Sequence, residues 1–303
     1  MSNLKNLFKD TALYGIGKSI QKLIGLFLLP FYATVLKPED FGIIDTLGVT
    51  TFFFIALCNL GLDSASGRFF FIAKTKQEKG ELLFTILMLR SITIIPCLIL
   101  ACFSSQLSNV LFETTSYKWM VAISILAIPL NILHSDQERI FRYYFEPHKY
   151  NLNVLLKVFI SAILGISLVI YLNFGALGAL LSSFVSSFIF ILIAFFGFNK
   201  KRYIFQFSFD WAKKMIKYGW PLIGATAAIW FYSSADRYIV LHYYSLTEVG
   251  IFSIGSKLIQ IMGMLNLAVQ MSFGPHMVNN YENDESLNKA KTKAFLSLPK
   301  IQY

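Results

Sequence analysis

The sequence predicts an all-α polytopic membrane protein with a complete first lobe of six helices and an unfinished second lobe. Three observations lead there. The 303 residues are 55% apolar and only 15% charged, whereas soluble domains carry about 25% charged residues, so most of this surface must face lipid. A membrane-crossing helix needs about 20 apolar residues, and eight stretches of the chain reach or approach that length, with a ninth beginning near the end. The basic residues gather in alternate connections between those stretches.

The first span, Thr11 to Leu36, is apolar yet carries Lys18 and Lys22. Four residues apart, they share one helix face. A lysine at bilayer depth costs about 2.5 to 3.5 kcal/mol and usually faces a bundle interior or a wet cavity, so this helix reads as a cavity wall. Pro30 cannot donate its backbone hydrogen bond and predicts a kink near the far end. Span two follows the turn Lys37-Pro38-Glu39-Asp40 and covers about Phe41 to Leu62. Span three, about Leu82 to Phe103, is interrupted by Arg90 and Pro96, and span four covers about Trp119 to Leu133. The polar stretch after it, from His134 to Asn151, reads as a connection. Spans five (Leu152 to Leu172) and six (Phe174 to Phe198) are joined by little more than Asn173, which predicts a tight hairpin. Spans seven (Tyr218 to Val240) and eight (Val249 to Phe273) follow a strongly basic linker. The expected organisation is therefore a lobe over residues 1–198, a cytoplasmic linker over 199–217 and the start of a second lobe over 218–303.

Orientation follows from charge. Eighteen of the 27 Lys and Arg fall in connections on one side of the membrane, and only Lys37, Lys118 and Arg237 fall on the other. The positive-inside rule then puts the amino terminus in the cytoplasm. Lys18, Lys22, Arg90, Lys157 and Lys257 remain within the spans and need an account. An internal echo is also visible: Tyr14-Gly15 returns as Tyr218-Gly219, and PEDFGI (38–43) returns as LTEVGI (246–251). With six spans between them the copies enter from the same side, which predicts a parallel repeat about an axis along the membrane normal.

Three places carry a family resemblance: Leu13-Tyr14-Gly15 with Leu28-Leu29-Pro30-Phe31-Tyr32 and Pro38-Glu39-Asp40-Phe41-Gly42; Leu60-Gly61-Leu62-Asp63 through Arg68-Phe69-Phe70; and Ser234-Ala235-Asp236-Arg237-Tyr238 followed by Glu248-Val249-Gly250-Ile251-Phe252 and Lys257. Here the chain resembles the O-antigen type polysaccharide flippases of the multidrug, oligosaccharidyl-lipid and polysaccharide (MOP) exporter superfamily, and the span pattern extends the resemblance over essentially the whole chain. The resemblance implies a fold like that of multidrug and toxic compound extrusion (MATE) transporters, with two six-helix lobes, residence in the bacterial cytoplasmic membrane, and a cationic central cavity lined by helices one, two, seven and eight. The cargo it implies is an oligosaccharide on a polyprenyl diphosphate, moved from the inner to the outer leaflet, with membrane lipids and other polysaccharide-assembly proteins as partners. This chain completes one lobe and two helices of the next, so a truncated reading frame or a fragment is expected.

That chemistry suits the embedded cations. A diphosphate crossing a low-dielectric layer needs replacement for its hydration, and lysine supplies a mobile point charge. Lys18, Lys22 and Lys257 are the candidate substrate-binding cations, converging on one anion near the midplane. Other readings stand beside this one. Lys22 pairs with Asp45 in one alternative, and Lys257 pairs or snorkels in another. Arg90 lies deep enough to need a partner within its lobe, while Lys157 lies near the cytoplasmic end and can snorkel. Asp236 and Arg237 read as anchors for the outer end of helix seven, with substrate contact as the alternative. Asp63 and Arg68 form either a cytoplasmic gate or a solvated ion pair. Asp45, Asp63 and Asp236 are also candidates for ion coupling.

Several chemistries are set aside. Gly17-Lys18-Ser19 ends like a P-loop, but Ala12 stands where the first glycine belongs and no strand precedes it. Cys58, Cys97 and Cys102 show no metal-binding or disulfide spacing, and the four histidines are scattered. No cofactor, metal, nucleic acid or catalytic residue is predicted. The competing functions are a small-molecule antiporter of the same superfamily, which predicts cavity carboxylates instead of lysines; a nonfunctional truncated remnant; and a membrane glycosyltransferase or polymerase, which calls for a sizeable outer loop that is missing between these spans.

Overall fold

Capping residues and prolines set the helix boundaries. The structure is a computed structural model that describes residues 2–259, with side chains from Tyr14 onward except Ile16. All regular secondary structure among these residues is helical. Helix α1 spans Ser2–Ala33, with Pro30 in its last turn. Helix α2 (Pro38–Cys58) starts on a proline at its first turn, and the Asp40 carboxylate accepts from the Lys37 backbone N–H at 2.9 Å, filling a donor that the helix cannot satisfy. Gly61, at φ 67°, turns the chain into α3 (Leu62–Ile72). A Thr75/Glu78 capping box opens α4 (Lys76–Ser91). The third span breaks after Arg90 before continuing as α5 (Ile94–Cys102). Pro96 explains the break, because it cannot donate to the carbonyl four residues back, at Ile92.

The short α6 (Ser104–Phe112) precedes α7 (Lys118–Tyr143), which leads to α8 (Pro147–Ile166), continuing as a wider π-helical turn to Tyr171. Asn173 and Gly175 adopt positive φ at the expected hairpin before α9 (Gly175–Leu192), which also ends in π-helical turns reaching Asn199. Then come α10 (Phe209–Gly219), α11 (Leu222–Tyr243) and α12, described over 246–259.

Five segments are long and apolar enough to cross a membrane by length and composition: Pro38–Cys58, Lys76–Cys102, Lys118–Tyr143, Pro147–Tyr171 and Gly175–Arg202. They correspond to expected spans two to six. Span one is α1, which carries Lys18 and Lys22 in its apolar half, and span seven is α11, which carries Asp236 and Arg237. The far half of span eight and the expected start of a ninth lie outside the described residues.

Two boundaries differ from expectation. The stretch from His134 to Tyr143 is helix, not connection, and its Asp136, Gln137 and Glu138 are buried. The helical spacing of Ile128, Ile132, Ile140 and Phe141 keeps one face apolar past the first charged residue, so α7 runs on to Tyr143, and Phe145 at φ 53° turns the chain just before Pro147. The basic linker likewise contains α10, a strongly amphipathic helix whose Ala212 and Met215 are buried while Lys213, Lys214 and Lys217 are exposed.

Helix α7 is the centre of the first lobe, packing against α2, α5, α6, α8 and α9, whereas α1 lies mainly against α8. One core cluster gathers Ile43, Leu47, Cys97 and Ile128 between α2, α5 and α7, and another gathers Phe70, Leu82, Ile86 and Met215 where α3, α4 and α10 meet. The second unit joins the first along α2 and α11 and through α10 on α3. The sequence echo lies at that junction. A Cβ on Gly42 would run into the Leu246 carbonyl oxygen, and one on Gly250 into the Pro38 carbonyl oxygen. Pro38 and Leu246 hold corresponding places in PEDFGI and LTEVGI, so the contact is reciprocal, the pattern of a two-fold axis. At the other end of α2, Gly61 lies against the Gly219 backbone equally closely. Glycine lets backbones approach in a bilayer, where helix association depends on close packing.

Candidate functional site

Charge inside the described bundle is concentrated at three places. The first is a guanidinium node near the α2–α3 junction. Arg90, fully buried on α4, donates from Nη2 to Asp63 at 2.6 Å and from Nε to Asp136 at 3.1 Å. Its Nη1 donates to the Asn59 backbone oxygen at 3.0 Å and to Asn59 Oδ1 at 2.6 Å. Arg139 on α7 reaches the same two carboxylates at 2.6 and 2.9 Å. Two arginines and two aspartates thus balance in charge and join α3, α4 and α7. Both carboxylate partners of Arg90 lie within the first six spans. Asp63 does not pair with Arg68: its carboxylate faces Arg90 and Arg139, and the Arg68 guanidinium lies over the Tyr218 ring, 4.7 Å from its centroid.

The second place bridges the two units. Arg237 on α11 donates from Nε to Asp45 on α2 at 3.3 Å and from Nη1 to Asp236 at 2.8 Å. One turn along, Thr50 and Tyr238 share a hydrogen bond at 2.7 Å, and Trp230 Nε1 donates to the Val49 carbonyl at 2.8 Å. Asp45 therefore meets Arg237 instead of Lys22, since α2 packs on α11 while α1 stands against α8.

The third place was not foreseen as a cluster. Lys18 Nζ on α1 lies 3.2 Å from Glu138 on α7, and the His134 Nδ1 lies 3.6 Å from the same carboxylate. Lys157 on α8 reaches His134 Nδ1 at 3.3 Å, so it faces inward and does not snorkel. His134 and Glu138 are one helical turn apart, and Asn153 and Lys157 match them on α8. A sequence signal existed, an i,i+4 pair on the continuing apolar period of α7, but it was masked by reading the first polar residues as a loop.

Lys22 and Lys257 have no ion pair among the described residues. Lys22 is exposed, and Lys257 lies over the Phe41 ring, 5.4 Å from its centroid, with Asp45 near enough to attract it electrostatically. Lys18 and Lys257 thus address different neighbours, α7 and α2. A cavity of about 230 Å³ opens between α2, α7 and α9, with Thr51, Ser124, Asn131 and Ser183 among its lining residues. Among the described residues no three His, Cys, Asp or Glu side chains gather to hold a metal ion.

Outside the spans, two further contacts tie the connections. Burial alone would raise the Glu146 carboxyl, but hydrogen bonds from Arg202 at 2.6 Å and Lys149 at 3.0 Å hold it below the usual carboxylate range. On the opposite face Tyr117 donates to Glu39 at 2.7 Å, and that bond to a carboxylate pushes the phenol up to about 12.

Apolar helices around buried ion pairs, with two units related by a repeat, define a multi-pass membrane protein of the two-lobed transporter fold. The comparisons agree in fold and add the family. A profile of the polysaccharide biosynthesis protein family matches residues 31–300, and the chain belongs to that family. It is similar to Lsg locus protein 1 of Haemophilus influenzae, 24% identical over 97% of this chain and 72% of that protein. Among solved structures it is similar to an inward-facing multidrug resistance MATE family transporter of the MOP superfamily, at a TM-score of 0.64 and 16% identity, covering 93% of this chain and 66% of that one. It is similar also to a MATE protein in complex with Br-NRF, at a TM-score of 0.59 and 18% identity, covering 94% of this chain and 70% of that one. The chain therefore spans roughly two thirds to three quarters of the length of these relatives.

Proposed function

We propose that the protein acts as a flippase, moving a polyprenyl-diphosphate-linked oligosaccharide across the bacterial cytoplasmic membrane for surface polysaccharide synthesis, with its amino terminus in the cytoplasm. The observation that carries the reading is the positive charge left unpaired within the spans. Asp45, Asp63, Asp136 and Asp236 are engaged by arginines, whereas Lys22 and Lys257 have no carboxylate within ion-pair distance among the described residues. Unpaired cations at membrane depth favour an anionic cargo, because a unit charge pair 4 Å apart is worth about 4 kcal/mol at an effective dielectric of 20. Lys18, Lys22 and Lys257 are the groups assigned to the diphosphate. The hydroxyl and amide edge of the α2–α7–α9 cavity suits sugar hydroxyls. The protein's own part is binding and reorientation, with no catalytic step. A drug or cation antiporter would need unpaired interior carboxylates, and among the described residues the four aspartates and Glu138 are engaged by basic partners.

The test is restoration of surface polysaccharide in a flippase-null strain. Lys22→Ala/Lys257→Ala is expected to abolish restoration and Lys22→Arg/Lys257→Arg to keep much of it, since both bear positive charge. If the alanine pair restores surface glycan as well as the parent, the cationic-cavity reading is wrong.

A further inference from the structure

Arginine keeps its proton at every accessible pH, so each of the four aspartates it holds here faces a permanent positive charge. Glu138 has a different setting. Its partners are Lys18 at 3.2 Å and His134 at 3.6 Å, and Lys157 joins His134 at 3.3 Å. Each of these can exchange a proton. The surrounding wall is supplied by Tyr14 on α1, Arg142 on α7, and Tyr150 and Asn153 on α8; the Tyr150 ring lies 6.0 Å from Lys18 and 5.9 Å from the Arg142 guanidinium. Exposure is asymmetric across the ion pair: the Lys18 side chain is 49% exposed and that of Glu138 11%. The lysine is thus reachable from outside the cluster while its counter-ion is enclosed. One ammonium cannot serve an enclosed carboxylate and an arriving phosphate at full strength together, because each wants the same short charge-assisted contact.

We propose that Glu138 is an internal counter-anion that competes with a diphosphate ligand for Lys18, and that proton uptake by the Glu138–His134–Lys157 cluster releases the lysine to that ligand. This rests on the reading of Lys18 as a diphosphate-binding cation and adds the group that controls its availability. Only N–H and O–H bonds change: a proton from solvent neutralises the carboxylate directly or by way of the imidazole, and the Lys18 ammonium turns to the ligand. Linkage is reciprocal, so acid pH strengthens anion binding and anion binding draws protons into the cluster.

The experiment titrates the full chain in detergent with geranylgeranyl diphosphate, using geranylgeraniol as the uncharged control, from about pH 8 to about pH 4.5, a range that reaches down to ordinary carboxyl values. The parent should prefer the diphosphate, increasingly so toward acid pH. Glu138→Gln, which removes the competing charge, should bind it about twofold to fivefold more tightly than the parent at the alkaline end, the range open to a part-exposed ion pair. The ligand's own titration is common to both proteins, so the glutamine variant serves as its control, and its affinity should gain less toward acid pH than the parent's. Glu138→Asp, which keeps the charge but shortens its reach, should fall between the two and keep the pH response. If the parent does not distinguish the diphosphate from the alcohol, or Lys18→Ala binds as the parent does, the cation reading and this inference both fail. If Lys18→Ala loses the preference while both Glu138 variants match the parent in affinity and pH response, the inference alone fails.

Discussion

Removing the Arg90 guanidinium leaves two carboxylates, Asp63 and Asp136, facing each other with Arg139 as their remaining cation, and it strips the Asn59 carbonyl and carboxamide of their donor. Arg90 is 0% exposed and Asp136 is buried, so water cannot replace the contact to Asp136, whereas the Asp63 side chain, 39% exposed, can still be hydrated. Breaking a buried ion pair by deleting one partner costs about 3 to 5 kcal/mol. Because Arg139 still contacts both carboxylates, Arg90→Ala is placed near the lower end, about 3 kcal/mol. Thermal unfolding in detergent, followed by loss of the monodisperse peak, should show a midpoint lower by roughly 5 to 10 °C. A cycle with Asp136→Asn isolates the pair: the double variant should lose less than the sum of the single variants, by about 1 to 3 kcal/mol. Arg90→Lys should recover only part, since an ammonium cannot span Asp63, Asp136 and Asn59 as the guanidinium fork does. Strict additivity in the cycle, or an Arg90→Ala midpoint equal to the parent's, would refute the assignment of this node as the structural tie of α3, α4 and α7.

Valine at Gly250 places carbon atoms against the Pro38 carbonyl, so Gly250→Val should lower the unfolding midpoint clearly more than Gly255→Val, where a Cβ meets nothing within 4 Å; equal midpoints would contradict the close backbone contact. Asp45→Asn removes one of two carboxylates from Arg237 while Thr50–Tyr238 and Trp230–Val49 persist, so the loss should be only about 1 kcal/mol, measurable as a small shift in unfolding midpoint. Glu146 is held below its unfolded carboxyl value by Arg202 and Lys149. Its contribution is therefore fully present above the ordinary glutamate range and lost as pH falls through the lowered folded value. Glu146→Gln should flatten the acid limb of a stability-against-pH curve, and an unchanged limb would assign the acid sensitivity elsewhere.

Much of this protein was legible in the chain itself. Apolar length alone marks α2, α7, α8 and α9 as membrane helices, Pro96 predicts an interruption in the third, and Asn173 marks the hairpin, because each of these depends on residues within a turn or two of one another. The echo of PEDFGI in LTEVGI belongs to the same class of information, although only the folded chain brings Gly42 and Gly250 together. The ion pairs were beyond sequence reading. Asp63 looked matched to Arg68, its near neighbour, yet it meets Arg90 and Arg139; Asp45 looked available to Lys22, yet it meets Arg237, 192 positions away. Glu138 was placed in a loop, where it would have been a solvated surface charge. Hydropathy and capping act locally and so determine which segments are helices, whereas the partner of a buried charge depends on how those helices are rotated and packed. Only the tertiary structure decides that, and it decided which of this chain's carboxylates are locked to arginine and which one holds Lys18.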